Sequence, residues 1–79
     1  MGLKEIKEAL ENKKIIFGIR ELLKNKKKVK KVYVAKDCRN ETKNKLFESE
    51  IDFEELNKTK KEIAQELKID FLSEVYSII

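Results

Sequence analysis

Four consecutive apolar residues, Val32-Tyr33-Val34-Ala35, constrain this chain more than any other segment. A strand with one wet face alternates apolar and polar residues. An unbroken run instead suits a strand covered on both faces, and the usual cover is a layer of helices on each side. β-Branched and aromatic side chains favour the extended form locally. The rest of the chain is short. Its 79 residues make one domain at most, so the covering helices must come from the immediate flanks.

Those flanks alternate in period. Leu3, Ile6 and Leu10 fall at i, i+3 and i+7 and predict a helix over 3–12, with Asn12 as its breaker. Ile15-Ile16-Phe17, closed by Gly18, reads as a short buried strand. A second helix is expected over 19–26. At 100° per residue, Ile19, Leu22 and Leu23 share its inner face, and Arg20, Glu21 and Lys24 its outer face. Asp37 to Asn40 turn the chain into a third helix over 41–48, anchored by Leu46 and Phe47. Ile51, Phe53 and Leu56 sit near a period of two and suggest a half-buried strand. Thr59-Lys60-Lys61-Glu62 is a capping box. It starts a helix running to about Lys68, with Ile63, Ala64 and Leu67 inward, and Val75 to Ile79 form the last strand. The order α-β-α-β-α-β-α-β predicts an α/β chain, a three-layer α/β/α sandwich around a four-stranded mixed sheet, in one domain over 1–79.

Several chemistries lack their residues. There is no His, which removes the commonest general base and metal ligand. A single Cys allows no internal disulfide and no cysteine metal cluster. No apolar run reaches a membrane span. The opening Met1-Gly2-Leu3-Lys4-Glu5 has no apolar leader, so a reduced cytoplasmic protein without a membrane role is expected. With no nucleophile beside a base and no Gly-rich phosphate loop, no enzyme and no cofactor is expected. Cys38 reads as a small buried thiol. The acidic stretch Glu48, Glu50, Asp52, Glu54 and Glu55 is open to metal binding or, more simply, a solvated edge. Tyr33, Phe53 and Tyr76 fall on strands and read as core residues rather than stacking platforms.

Charge gives the first positive pointer. Residues 1–40 carry 13 Lys/Arg against 5 Asp/Glu, and residues 41–79 carry 6 against 10. Lys24, Lys26, Lys27, Lys28, Lys30 and Lys31 place six cations in eight residues with no acid between them. Such a run serves either phosphate contact through counterion release or a solvated helix C-terminus complementing the dipole. Upstream, Gly18 joins a strand directly to a helix, where a ligand can approach the backbone and anions meet free N–H groups. Glu21 has no use in a purely electrostatic patch. A carboxylate there either accepts from the Watson–Crick edge of an unpaired guanine or serves the helix dipole in the first turn.

Gly18-Ile19-Arg20-Glu21-Leu22-Leu23-Lys24, the lysine-rich turn Lys26 to Lys31, and Val32-Tyr33-Val34-Ala35-Lys36-Asp37 together resemble the ribosomal protein family of L-seven-Ae and L-thirty-e. Thr59-Lys60-Lys61-Glu62-Ile63-Ala64-Gln65-Glu66-Leu67 is similar to the family's Ser/Thr-Lys-x-Glu-Leu helix, and Val75 to Ile79 to its last strand. The resemblance implies an RNA-binding protein of a ribosome or other ribonucleoprotein, whose partner is the kink-turn, a bent internal loop with sheared G·A pairs. It implies that Gly18, Arg20, Glu21 and Lys24 read the guanines. Lys27 and Lys28 belong to the lysine run read above for phosphate contact, and the resemblance implies that Lys60 touches RNA at the start of the fourth helix. Ile69 and Phe71, in the segment after that helix, would pack on the kink.

Three places depart from the family pattern. Arg20 stands where kink-turn readers carry Asn or Lys. Cys38-Arg39-Asn40 replaces a carboxylate and proline, and Asp70 brings a negative charge to the segment after the fourth helix. They keep a second reading open: a protein-interaction domain on the same fold with weak or lost RNA binding.

Overall fold

A computed structural model describes residues 2–79. Helices and strands alternate: α1 (Gly2–Glu11), β1 (Ile15–Phe17), α2 (Ile19–Lys24), β2 (Lys31–Val34), α3 (Asn40–Glu48), β3 (Glu54–Glu55), α4 (Lys60–Leu67) and β4 (Val75–Ile78). The chain is thus a small α/β protein with four helices and a four-stranded mixed, open sheet. The strand order is β1-β4-β2-β3. β4 is antiparallel to both neighbours, pairing Phe17 with Tyr76 on one side and Tyr33 with Tyr76 on the other. β3 runs parallel to β2, with Tyr33 opposite Glu54. β1, β2 and β3 therefore share one direction, and β4 is threaded between β1 and β2 against them.

The apolar run at 32–35 is buried as its composition demands, and its residues alternate between two cores. Tyr33 and Ala35 join Ile6 of α1, Ile63 and Leu67 of α4, Leu56 and Tyr76. Val32 and Val34 join Leu22 of α2, Leu46 of α3, Cys38 and Val75. Residues at i and i+1 of a strand point to opposite faces, so α1 and α4 feed one core and α2 and α3 the other. Each fully buried Leu or Ile contributes about 1.5–3 kcal/mol. Tyr33 keeps its polar end satisfied by donating to Glu5 Oε2 at 2.6 Å. Tyr76 does so by donating to the Ser73 carbonyl at 2.6 Å.

The Thr59 capping box forms in full. Thr59 Oγ1 accepts from Glu62 N at 3.3 Å, and Glu62 Oε1 accepts from Thr59 N at 3.0 Å. Other expectations are corrected. α2 stops at Lys24, and its continuation to 26 is replaced by a turn. Leu23 is 40% exposed, because Leu22 alone fills the inner position of so short a helix. Phe47 does not anchor α3. Leu46 takes that place and Phe47, one residue on, is left 66% exposed. The strand expected around Ile51–Leu56 pairs over only two residues. Its side chains still divide, Ile51 and Phe53 toward the α2–α3 core and Leu56 toward the other. Among the described residues, no helix is long and apolar enough to cross a membrane.

Candidate nucleic-acid interface

Strand direction decides where the candidate residues meet. β1, β2 and β3 end on the same side of the sheet, and α2, α3 and α4 each begin there. In open α/β sheets the carboxyl ends of the strands are where ligands are held. Helix N-termini add free N–H groups and positive dipole ends to that side.

Gly18 makes the passage from β1 to α2. Its φ is +88°, which L side chains rarely adopt, while a Cβ there would meet nothing within 4 Å. Glycine is required by backbone conformation and not by crowding. Its N–H donates to the Val75 carbonyl at 3.1 Å, and its carbonyl accepts from Leu22 N at 3.2 Å, fixing the turn to β4 and α2 together. Arg20 and Glu21 then leave the first turn of α2 into solvent. Glu21 and Lys24 are 4.0 Å apart with both side chains more than half exposed. So loose a pair leaves both groups free for other partners.

The segment after α4 reaches the same turn. Lys68 closes α4 in the left-handed conformation (φ 58°). Ile69 then packs against the core under α1 and α4, which draws it away from the surface. Phe71 is 45% exposed and sets its ring edge-on against Phe17, with centroids 4.9 Å apart. Phe17 immediately precedes Gly18, so the Phe71 ring lies beside the start of α2.

Lys60 opens α4 on this side. Its backbone N–H donates to Asp37 Oδ1 at 2.9 Å, and its Nζ lies 3.5 Å from Glu74 Oε1. Gly18, Arg20, Glu21, Lys60 and Phe71 are therefore gathered at one end of the sheet. Lys27 and Lys28 are not. They sit in the turn between α2 and β2, at the opposite end, where Lys30 N donates to the Ile78 carbonyl and Ile79 N to the Lys14 carbonyl. Lys24, the last residue of α2, lies between the two groups. The lysine run is thus set apart from Arg20 and Lys60 by the length of the sheet.

Glu74 is the residue that sequence reading missed. Its side chain is 13% exposed. Oε1 accepts from Arg39 Nε at 2.9 Å, and Oε2 accepts from Thr42 Oγ1 at 2.8 Å. With the Lys60 ammonium also close, this one carboxylate ties the starts of α3 and α4 to the start of β4. Burial pushes its carboxyl up and is the largest single influence. The hydrogen bonds from Thr42 and Arg39 outweigh it, so the group stays ionised below the usual carboxylate range. No local pattern marks it, since its partners are 35 and 32 residues away in sequence.

What this end can do chemically is bind. It presents cations, helix N-termini, exposed carboxylates (Glu21, Glu41 and Asp70) and an aromatic ring. Cys38, 7% exposed, is pushed up in pKa by burial first and by Glu74 second, which disfavours the thiolate. Among the described residues, no group of three or more His, Cys, Asp or Glu is placed to hold a metal ion. No family model and no curated protein matches the chain.

Proposed function

We propose that this chain is a non-catalytic RNA-binding domain that holds a kink-turn or similarly bent internal loop, as a cytoplasmic ribosomal or ribonucleoprotein component. The observation that carries the reading is the meeting of Phe71 with Phe17 at 4.9 Å, beside Gly18. It unites the two sequence segments that the family resemblance assigns to the guanines and to the kink. A bent RNA presents unpaired bases at the kink and phosphates on both arms, and single-stranded bases are read by stacking and by hydrogen bonds to their edges. Glu21 and Arg20 meet the guanine edges, Lys60 meets phosphate, and Phe71 stacks on an extruded base. Lys27 and Lys28 are set back by roughly one strand length, about 13 Å, and meet phosphates of the stem leaving the loop. The same reading takes the α1–α4 and α2–α3 pairs as the outer layers of a three-layer α/β/α sandwich, with α2 and α4 presenting their N-termini from opposite layers.

Glu74 supports the second reading, a protein-interaction domain with little RNA affinity, because it partly satisfies Arg39 and Lys60 before any phosphate arrives. One comparison separates the two. Gel-shift titration at about 0.1 M salt, a concentration at which phosphate contacts still contribute, is run on a kink-turn and on the same RNA with its G·A pairs replaced. A preference of about tenfold or more for the intact loop is expected from one or two base-edge contacts. Equal binding favours the protein-interaction domain.

A further inference from the structure

We infer that the apolar corner formed by Phe47, Ile51 and Phe53 is a docking surface for a basic segment of another protein. That segment lays an apolar side chain against the two rings and sets flanking Lys or Arg side chains toward the surrounding carboxylates. The inference does not depend on RNA binding.

Phe47 is the most exposed large apolar side chain among the described residues, at 66%. A lone exposed phenyl means little, but this one is not alone. Its ring meets Phe53 edge-on with centroids 5.3 Å apart. The two rings, with Glu50, Ile51 and Asp52, line a groove at the C-terminal end of α3. Two backbone hydrogen bonds fix its floor, Glu50 N to the Phe47 carbonyl at 3.1 Å and Ile51 N to the Leu46 carbonyl at 2.9 Å. Because α3 starts at the carboxyl ends of the strands and runs away from them, the groove lies at the far end of the molecule from Gly18 and Lys60.

Charge selects the occupant. Glu50 and Asp52 line the groove and Glu48 follows Phe47 on α3, and among the described residues none of the three forms an ion pair. Lys26, which donates to the Ser49 carbonyl, Lys30, and Lys31, which is paired with Glu54 at 3.5 Å, line the wall toward β2, and none of them lines the groove itself. Unpaired carboxylates repel phosphates and anionic headgroups and attract cationic polypeptide. A second copy would bring its own Glu48, Glu50 and Asp52 to the contact along with its lysine-rich turn, because both lie at the same end of the molecule, so a separate basic chain complements the groove better.

The test uses the intact protein, isotopically labelled, titrated with an amidated nonapeptide that carries Phe at its centre and Lys and Arg on both sides. Amide shifts are expected to concentrate at residues 46–53. Phe47→Ala, at an exposed position, should keep the unfolding midpoint yet weaken peptide binding by about tenfold, as should a peptide with Ala at its centre. Asp52→Lys should weaken binding and flatten its salt dependence. Shifts concentrated elsewhere, or affinity unchanged in Phe47→Ala, overturn the assignment. So does sedimentation showing a dimer that Phe47→Ala disperses, which makes the occupant a second copy. Loss of kink-turn affinity in Phe47→Ala overturns it in favour of RNA.

Discussion

Glu74 Oε1 accepts twice from Arg39, from Nε at 2.9 Å and from the backbone N–H at 3.4 Å. Arg39 is the N-cap of α3 and makes no side-chain cap of its own. The residue that opens the neighbourhood of β4 therefore caps a helix across the sheet, with Thr42 Oγ1 on its second oxygen. Glu74→Ala leaves those donors without a partner. The expected loss is about 1–2 kcal/mol, the range for removing a helix cap. In a chain of this size that lowers the unfolding midpoint by about 4–8 °C per kcal/mol. Glu74→Gln keeps one acceptor for the cap and should lose less. Circular dichroism melts check the order; a midpoint unchanged in the Ala variant contradicts the capping role.

The same carboxylate makes stability depend on pH in a known direction. Its folded-state pKa lies below the ordinary value, burial opposing and the Thr42 and Arg39 hydrogen bonds prevailing. Glu62 is lowered by Thr59, and Glu66 by Lys7. A group lowered on folding stabilises fully above its unfolded pKa, about 4.3 for Glu. That contribution is lost as pH falls through the folded value. Unfolding midpoints measured between about pH 6 and about pH 3 should hold and then fall on the acid side of that pKa. The fall should be shallower for Glu74→Gln. Identical acid limbs for the two proteins would remove Glu74 from the explanation.

What was legible in the sequence was what is local. The run at 32–35 is buried throughout because its burial needs no information beyond its own side chains. The Thr59 box formed because cap and N3 residue are three positions apart. Adjacent apolar residues on one helix were harder. Leu46 and Phe47 differ by 100° in direction, and only the position of the sheet decides which is covered. The lysines from 24 to 31 lie close to Arg20 in sequence but not at the same end of the sheet. α2 and its turn carry the chain to the other end of the sheet between them. Glu74 had no local signature at all: its importance comes from three elements converging on it.

Ser77 offers a test of the core itself. It is fully buried on β4, between Ile16 and Val32 in register. Its Oγ is the one buried side-chain oxygen among the described residues without a hydrogen-bond partner. A buried hydroxyl left unpaired costs about 1–3 kcal/mol. Ser77→Ala removes that cost and opens only a small void, so the melting midpoint should rise by a few degrees, at about 4–8 °C per kcal/mol. A fall of similar size would mean that Oγ is satisfied in solution.

Glu21 and Lys28 separate reading from attraction, because they stand toward opposite ends of the sheet and carry opposite charge. Lys28→Gln removes one phosphate contact. It should weaken a kink-turn and a plain duplex alike, and lower the slope of log affinity against log salt by about 1. Glu21→Ala should act in the other way. Its pair with Lys24 is long and exposed, so the fold loses little. A pure phosphate binder would gain affinity when this negative charge is removed. A carboxylate that accepts from a guanine edge instead loses about 1–3 kcal/mol on the kink-turn while the duplex is unchanged or bound more tightly. Filter binding of both variants to both RNAs over a salt series gives the four slopes needed. If Glu21→Ala tightens binding to kink-turn and duplex equally, the residue is a first-turn carboxylate serving the helix dipole, and Arg20 with the lysines holds RNA by charge alone.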